Sequence, residues 1–558
     1  MKKQRKTKIN PIKWLITRSG NNFWKVIVLT LSSSFFSILS VAFAWAVKII
    51  LDGASEGVGF SGKVVNGSIF ITVILLLQFL FRIINNGLTE HVKGKLEMNY
   101  KSYIFRKILS KKYDKVTNYH TGEILNRITN DVNVVSEGVT VVLPTAISAV
   151  VRLLVAVVSL VFLDPSFAII FVLVGGSVAI VMALLRGKLK SLHKDIQRSE
   201  GQVRSFMQEV LEKLLTVKVF SAKNKLSDKA DSLQKENFLA KMKRKNYSVL
   251  GTAIYGFLYS AGYVLALIYG AVKIANGTGF SYGSLMAVLQ LVNNVQIPFS
   301  SLSGVVPKYY ATIGSCERLI ELDEIEEDET ENVMVNETYS KLKGIEISNL
   351  SFVYDREVVF ENASATIPKG KFTLISGESG KGKSTLFKLL LGIHEYQGDI
   401  FLVFEDGKRK INKNDISLFS LLSQGNYTFS GTVKENVTLF NDEYSDEEVK
   451  RALDLSLSSE FVDSFPLGIN TVIGENGLGL SEGQAQRLAI ARSLLSRRKI
   501  ILLDEATSAL DLLTEEKVLD NLKNLEDQTI ILISHKEKAL NVCNEHLVIK
   551  DKKFEKIK

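Results

Sequence analysis

The sequence predicts an all-α six-helix transmembrane domain followed by a C-terminal α/β P-loop domain. Six apolar segments lie between residues 23 and 306, each near or above the roughly 20 residues a helix needs to cross a bilayer. From residue 344 onward, short β-like apolar runs alternate with helical patterns, the signature of a parallel α/β core. Residues 377–385 read Gly-Glu-Ser-Gly-Lys-Gly-Lys-Ser-Thr, which fits G-x-x-x-x-G-K-[ST].

The spans are expected near 23–50, 64–84, 139–163, 167–185, 247–272 and 282–306. The fourth contains no charged residue. Loops on one side are short, the third-to-fourth connection being little more than residues 164–166, Asp-Pro-Ser. Residues 85–138 and 186–246, on the other side, are long and rich in Lys and Arg. By the positive-inside rule both long loops and both termini face the cytoplasm. Helical periodicity continues through 96–112 and 203–219, so the helices are expected to extend beyond the membrane. The formal net charge of +10 falls largely beside the spans; it reads as a topology signal, and no nucleic-acid partner is expected. Cys316 and Cys543 both lie in segments read as cytoplasmic, which suggests neither a disulfide framework nor a metal cluster. The basic residues 1–8 precede an apolar stretch too long for a cleavable leader.

Polar groups inside the spans are costly in lipid and therefore informative. Arg152 lies close to the membrane midplane, where it either meets an anionic or polar cargo in a wet cavity, or finds a partner in the bundle or snorkels. Gln290, Asn293, Asn294 and Gln296 precede Pro298 on span six, so that helix is expected to face water or other helices. Tyr255, Tyr259 and Tyr263 form a stripe on span five that serves either packing or a substrate wall. The acidic run from Glu321 marks a linker over 321–343, which separates a membrane domain over 1–320 from a soluble domain over 344–558.

In the soluble domain the glycine-rich loop follows an apolar run, 372–376, and precedes a helical pattern, 386–391. Backbone N–H groups of such a loop wrap phosphates, and the helix N-terminus adds its dipole. Gly377, Glu378, Ser379, Gly380, Lys381, Gly382, Lys383, Ser384 and Thr385 are thus the predicted ATP-binding loop. Lys383 is expected on the β- and γ-phosphates and Ser384 on Mg2+. Tyr354 is an aromatic placed before the loop that could stack on adenine. Gln424 follows the apolar run 416–422; residues 480–484, Leu-Ser-Glu-Gly-Gln, open a helix; 500–504, Ile-Ile-Leu-Leu-Asp, form a buried-type strand with Glu505 next. Residues 508–511 read Ser-Ala-Leu-Asp, and the strand 530–534 leads to His535.

This ordered set resembles the ATPase domain of the ATP-binding-cassette family over essentially all of residues 344–540. With six preceding spans the whole chain resembles an exporter half-transporter. Residues 121–131 and 216–220 likewise resemble segments that bracket the family's docking helices. The resemblance implies that Asp504 helps hold Mg2+, that Glu505 polarises the attacking water, and that Gln424 contacts metal and water. It also implies that His535 hydrogen-bonds the γ-phosphate. Ser481, Glu482, Gly483 and Gln484 stand at the signature, which in the family completes the ATP site of the facing domain; the same four residues also fit a local capping box. Ser508 and Asp511 are expected in the dimer-interface loop. One phosphate loop, one signature and six spans imply pairing with a second half, either an identical chain or a paralogue.

Three positions depart from the family pattern: Glu482 replaces a signature glycine, Gly425 stands where proline is common, and Ala485 replaces a common arginine. Glu482 would place a carboxylate near a γ-phosphate. The function expected is ATP-driven export of a lipid, peptide or amphipathic small molecule from the cytoplasm by an integral protein of a bacterial plasma membrane. Membrane lipids and an unidentified cargo are the other partners. The alternative is a membrane-bound regulator that couples hydrolysis to signalling without cargo. The six spans exclude a soluble relative acting on DNA or ribosomes, and with roughly 20 residues before the first span no peptidase domain is expected.

Overall fold

The computed structural model describes residues 9–55, 62–328, 334–354, 357–378, 380–425, 428–474, 479–525 and 527–557. These form two compact units, Met1–Leu109 with His120–Glu324, and Ser110–Tyr119 with Ile325–Lys558.

The first unit is helical. Its long helices are α1 (Phe23–Ser55), α2 (Gly62–Leu109), α3 (Leu143–Leu163), α4 (Pro165–Glu212), α5 (Lys223–Ala275) and α6 (Tyr282–Asp323). Each of the six predicted spans falls on one of them, span three beginning in a π-helical turn at Gly138–Val142. Four helical stretches among the described residues are long and apolar enough to cross a membrane: Pro11–Ser55, Gly62–Leu109, Thr121–Leu163 and Lys223–Ala275. Local chemistry sets the starts. Asp164 accepts the Ser166 N–H and Pro165 occupies the first position of α4, while Ser281 accepts the Ser284 N–H at the start of α6.

Small and aliphatic residues such as Val41, Ala44, Ala156, Leu160, Ala287 and Leu291 are buried where the helices meet. Large apolar side chains such as Leu76, Phe79, Phe162 and Phe257 stay exposed, as lipid-facing or partner-facing surface requires. Two tyrosines of the stripe join α5 to α6: the Tyr255 hydroxyl donates to the Gln296 carbonyl at 3.2 Å and Tyr259 donates to Asn293 at 2.5 Å.

A polar knot holds the end of α6. Asp131 is fully buried; it accepts from Ser315 at 2.9 Å and from the Arg318 Nε at 2.7 Å, with Arg318 Nη2 also donating. Arg127 donates to the Arg318 carbonyl at 2.7 Å and to Glu321 at 3.0 Å. Removing one member of a buried pair exposes the desolvation cost of the other, reduced here because the Arg318 side chain is 45% exposed. Asp131→Ala should therefore cost about 2 kcal/mol and lower the melting temperature of the detergent-solubilised protein. Asp131→Asn, which retains one acceptor, should cost less.

The second unit holds β1 (Leu342–Tyr354), β2 (Glu357–Pro368), β3 (Phe372–Gly377), α7 (Lys383–Leu390), β4 (Gln397–Phe404), β5 (Gly407–Lys410) and β6 (Phe419–Leu422). After these come α8 (Glu482–Leu495), β7 (Ile500–Asp504), α9 (Leu512–Lys523), β8 (Thr529–Ile533), β9 (Glu545–Lys550) and β10 (Lys553–Lys556). One sheet runs β2-β1-β4-β5; the other runs β10-β9-β3-β8-β7-β6. In the second sheet β9, β3, β8, β7 and β6 are mutually parallel, as the alternating strand-helix pattern predicts. β3, β7 and β8 are mainly apolar strands buried along most of their length, so the polar groups that matter sit at or just past their C-terminal ends.

Residues 110–112 belong to this unit through a short antiparallel pairing with 326–328. Lys112 N–H donates to the Glu326 carbonyl at 3.0 Å and Asp328 N–H to the Ser110 carbonyl at 2.8 Å. Lys111–Glu327 and Lys112–Glu326 ion pairs, at 3.2 and 2.6 Å, flank it. Lys112 is raised above its usual value by its bond to Glu326, and Glu326 is lowered by the same contact.

Candidate nucleotide site

β3 lies between β9 and β8, and its last residue opens the glycine-rich loop. Ser379 lies outside the described residues; the rest of the predicted loop is placed. Gly382 caps α7 with φ of 94°, and a Cβ there would come within 2.2 Å of the Val359 side chain. Handedness and space both demand glycine. Lys383 starts the helix and is almost completely buried, its Nζ donating to the Gly377 and Glu378 carbonyls at 2.9 Å each. The loop thus curls around its own ammonium group. Burial pushes that group below its ordinary pKa, opposed by the charges of Glu505 and Asp504. Lys381 and Glu378 form an exposed ion pair at 3.4 Å.

Asp504 ends β7 beside this loop. Burial raises its carboxyl above the usual range; a hydrogen bond from Ser384 opposes the shift, and the neighbouring Glu505 charge adds to it. Ser384, Asp504 and the Gln424 carbonyl offer only oxygen atoms, the donor set that a small hard cation such as Mg2+ prefers. The pre-formed Ser384–Asp504 contact fits such an ion.

Glu505 follows in the left-handed region with φ of 51°, a conformation that costs a non-glycine residue about 1–2 kcal/mol. It is held there from three sides. Its N–H donates to the Ile533 carbonyl at 3.0 Å, its carbonyl accepts from Gln486 Nε2 at 3.1 Å, and its carboxylate accepts from Gln424 Nε2 at 2.9 Å. Strain of this sort, fixed by the surroundings, aims a side chain.

Ser481 and Gln484 form the capping box: the Ser481 hydroxyl accepts the Gln484 N–H at 3.2 Å, and Gln484 Oε1 accepts the Ser481 N–H at 2.9 Å. Glu482 is exposed in the first turn of α8. Gly483 is needed for space, since a Cβ would sit 2.9 Å from the Ala509 carbonyl. The helix start therefore lies against residues 508–511. Asp511 caps α9 by accepting from Leu513 and Thr514 N–H, which holds its carboxyl below the usual range. Ser508 accepts from Gln486 Nε2 at 2.9 Å. Tyr354 ends β1 with its ring exposed, edge-on to His394 at 5.7 Å. His535 is exposed just beyond β8.

Three contributors are absent from the sequence reading. Gln486, fully buried, also accepts the Ala509 N–H at 3.1 Å, so one amide joins the α8 start, Glu505 and the 508–511 loop. Nothing in the local sequence separates it from Gln484 two residues earlier in α8. Lys536 donates to the Thr507 and Leu510 carbonyls at 2.7 and 3.2 Å and pairs with fully buried Glu515 at 3.1 Å, fastening the strand end at His535 to the same loop. His394 stacks on Phe352 at 5.6 Å and supports Tyr354. Gln486→Ala should lower the maximal hydrolysis rate about tenfold through loss of two or three hydrogen bonds, with nucleotide affinity nearly unchanged. Steady-state kinetics beside equilibrium binding would check it.

Residues 26–299 match the family model described as the ABC transporter transmembrane region, and residues 360–508 match the model described as ABC transporter. The chain is 28% identical over 497 residues to the ATP-dependent lipid A-core flippase of Haemophilus influenzae (strain 86-028NP), covering 86% of this chain and 82% of that protein. It is 27% identical over 485 residues to the protein of the same name in Salmonella typhimurium, covering 86% and 82%. Its fold is similar to that of a bacterial Atm1-family ABC exporter solved with ATP bound, with a TM-score of 0.79 at 22% identity over 95% of this chain and 94% of the other.

Proposed function

Because this chain belongs to the ATP-binding-cassette transporters and is an exporter-type half that hydrolyses ATP, we propose that it pairs with a second half to move a lipid, a peptide or an amphipathic small molecule out of the cytoplasm. The observation that carries the reading is Glu505, aimed by Ile533, Gln486 and Gln424 beside Lys383 and Asp504, on the same chain as six membrane-length helices. The names of the two flippases favour a lipid among the three cargo classes. The protein sits as a multi-pass chain in a bacterial plasma membrane, with the nucleotide domain and both termini cytoplasmic.

Each half-site is closed from the other half. The 377–385 loop and Lys383 hold the phosphates, Tyr354 stacks on the base, and Ser481 and Gly483 of the second half meet the γ-phosphate. Glu505 accepts a proton from water as its oxygen attacks the γ-phosphorus; the bond to the ADP oxygen breaks and phosphate leaves. Mg2+, held by Ser384 and Asp504 with Gln424, would neutralise charge on the β- and γ-phosphate oxygens. Gln424 orients the water and His535 donates to the γ-phosphate. Ser508 and Asp511 lie at the interface between halves. Clamping and release of the two nucleotide domains shift the membrane helices between inward- and outward-facing populations. Glu482 places a carboxylate at the partner's γ-phosphate and slows hydrolysis there; Glu482→Gly should raise it.

Stimulation of ATPase activity across a panel of lipids, peptides and amphipathic drugs tests the reading. At least one class should raise turnover in the reconstituted protein; none doing so would count against cargo transport. Mass measurement of the detergent-purified complex decides between an identical and a different partner.

A further inference from the structure

Arg152 points to the chemistry of the cargo. It stands 11 residues before the end of α3 at Leu163, about 17 Å along the helix and near the middle of the bilayer. Its Nε donates to the Asn294 Oδ1 at 2.9 Å. Asn294 is buried and is itself fixed, donating to the Gln290 carbonyl at 3.1 Å and the Ser40 carbonyl at 3.4 Å. This anchors the guanidinium at one nitrogen and leaves both Nη groups without a protein partner among the described residues.

Arg152 lines two adjoining hollows of about 240 and 300 Å³. Among the described residues, no carboxylate lines them. A cation at membrane depth without a counter-ion is expensive unless something anionic arrives to pair with it. The first hollow also contains Asn85, whose Oδ1 is buried without a donor. The second is walled by Phe43 and Leu75 and carries the amides Gln78 and Gln290. An unpaired cationic fork, an unpaired acceptor and an apolar wall thus adjoin one another.

We propose that this cavity takes the headgroup of an anionic amphiphile, its phosphate or carboxylate on the Arg152 Nη fork. A hydroxyl or amine of the headgroup donates to Asn85, and the hydrocarbon lies against Phe43 and Leu75. The inference rests on the export reading above and specifies its cargo.

The test uses the full chain, in its native assembly, in phosphatidylcholine vesicles. ATP-dependent movement of short-chain fluorescent phosphatidylglycerol and phosphatidylcholine is compared, and ATPase stimulation by inorganic phosphate is measured alongside. Wild type should move the glycerol lipid at least about tenfold faster than the choline lipid, a ratio one charge-assisted pair can supply. Arg152→Gln should bring the ratio near one and Arg152→Lys should keep most of it; because the readout is a ratio within each variant, a poorly folded fraction does not shift it. Equal rates in wild type, or an unchanged ratio in Arg152→Gln, would overturn the anionic assignment and leave the export reading standing. Stimulation by inorganic phosphate alone would overturn the amphiphile in favour of a soluble anion. Failure of wild type to move any probe, including cationic and peptide controls, would overturn both.

Discussion

Glu505→Gln should leave ATP binding intact and reduce hydrolysis by about a hundred- to ten-thousandfold, the range for loss of a positioned general base. The substitution keeps the size of the side chain, and a glutamine oxygen can still accept from Gln424 Nε2, now 2.9 Å from the carboxylate. The backbone bonds from Glu505 to Ile533 and from Gln486 to the Glu505 carbonyl do not involve the side chain and should persist. What disappears is the capacity to take a proton from water. Single-turnover kinetics with equilibrium nucleotide binding separate these effects, and full turnover in the variant would refute the role given to Glu505.

Lys383→Ala should instead act on binding, weakening ATP affinity roughly a hundredfold, or about 3 kcal/mol for a charge-assisted contact to phosphate. The structure adds a second cost. Nζ now donates to two loop carbonyls, Gly377 and Glu378, and its removal frees the segment that must wrap the phosphates. Lys383→Arg keeps the charge but brings a planar fork into a buried slot built for a point charge, so it should recover only part of the affinity. Titration of a fluorescent ATP analogue distinguishes the three proteins. An unchanged affinity in Lys383→Ala would remove the loop from the binding site.

The parts of the fold that follow from local pattern were legible in the sequence. Long, mainly apolar runs placed a helix at each of the six expected spans, and the runs 372–376, 500–504 and 530–533 gave the buried parallel strands β3, β7 and β8, because strands covered on both faces are mainly apolar, with Thr373 and Asp504 as buried exceptions. The glycine loop was legible because its backbone geometry restricts composition, as Gly382 illustrates. Contacts between distant segments were not. Nothing at Asn294 announces that it orients Arg152, nor at Ser315 that it meets Asp131 from 184 positions away. Gln486 and Lys536 are illegible for the same reason, since each acts by reaching backbone carbonyls that no motif records. The Ser481 capping box was legible as a local pattern, and the structure realises that cap within one chain.

The decisive measurement is transport itself. Protein reconstituted into sealed vesicles should move a fluorescent lipid, peptide or amphiphile across the bilayer only with Mg-ATP present, and Glu505→Gln should abolish the movement while still binding ATP. Robust ATP hydrolysis by the wild-type protein without ATP-dependent movement of any member of the panel would contradict export and favour a chain that uses ATP to signal.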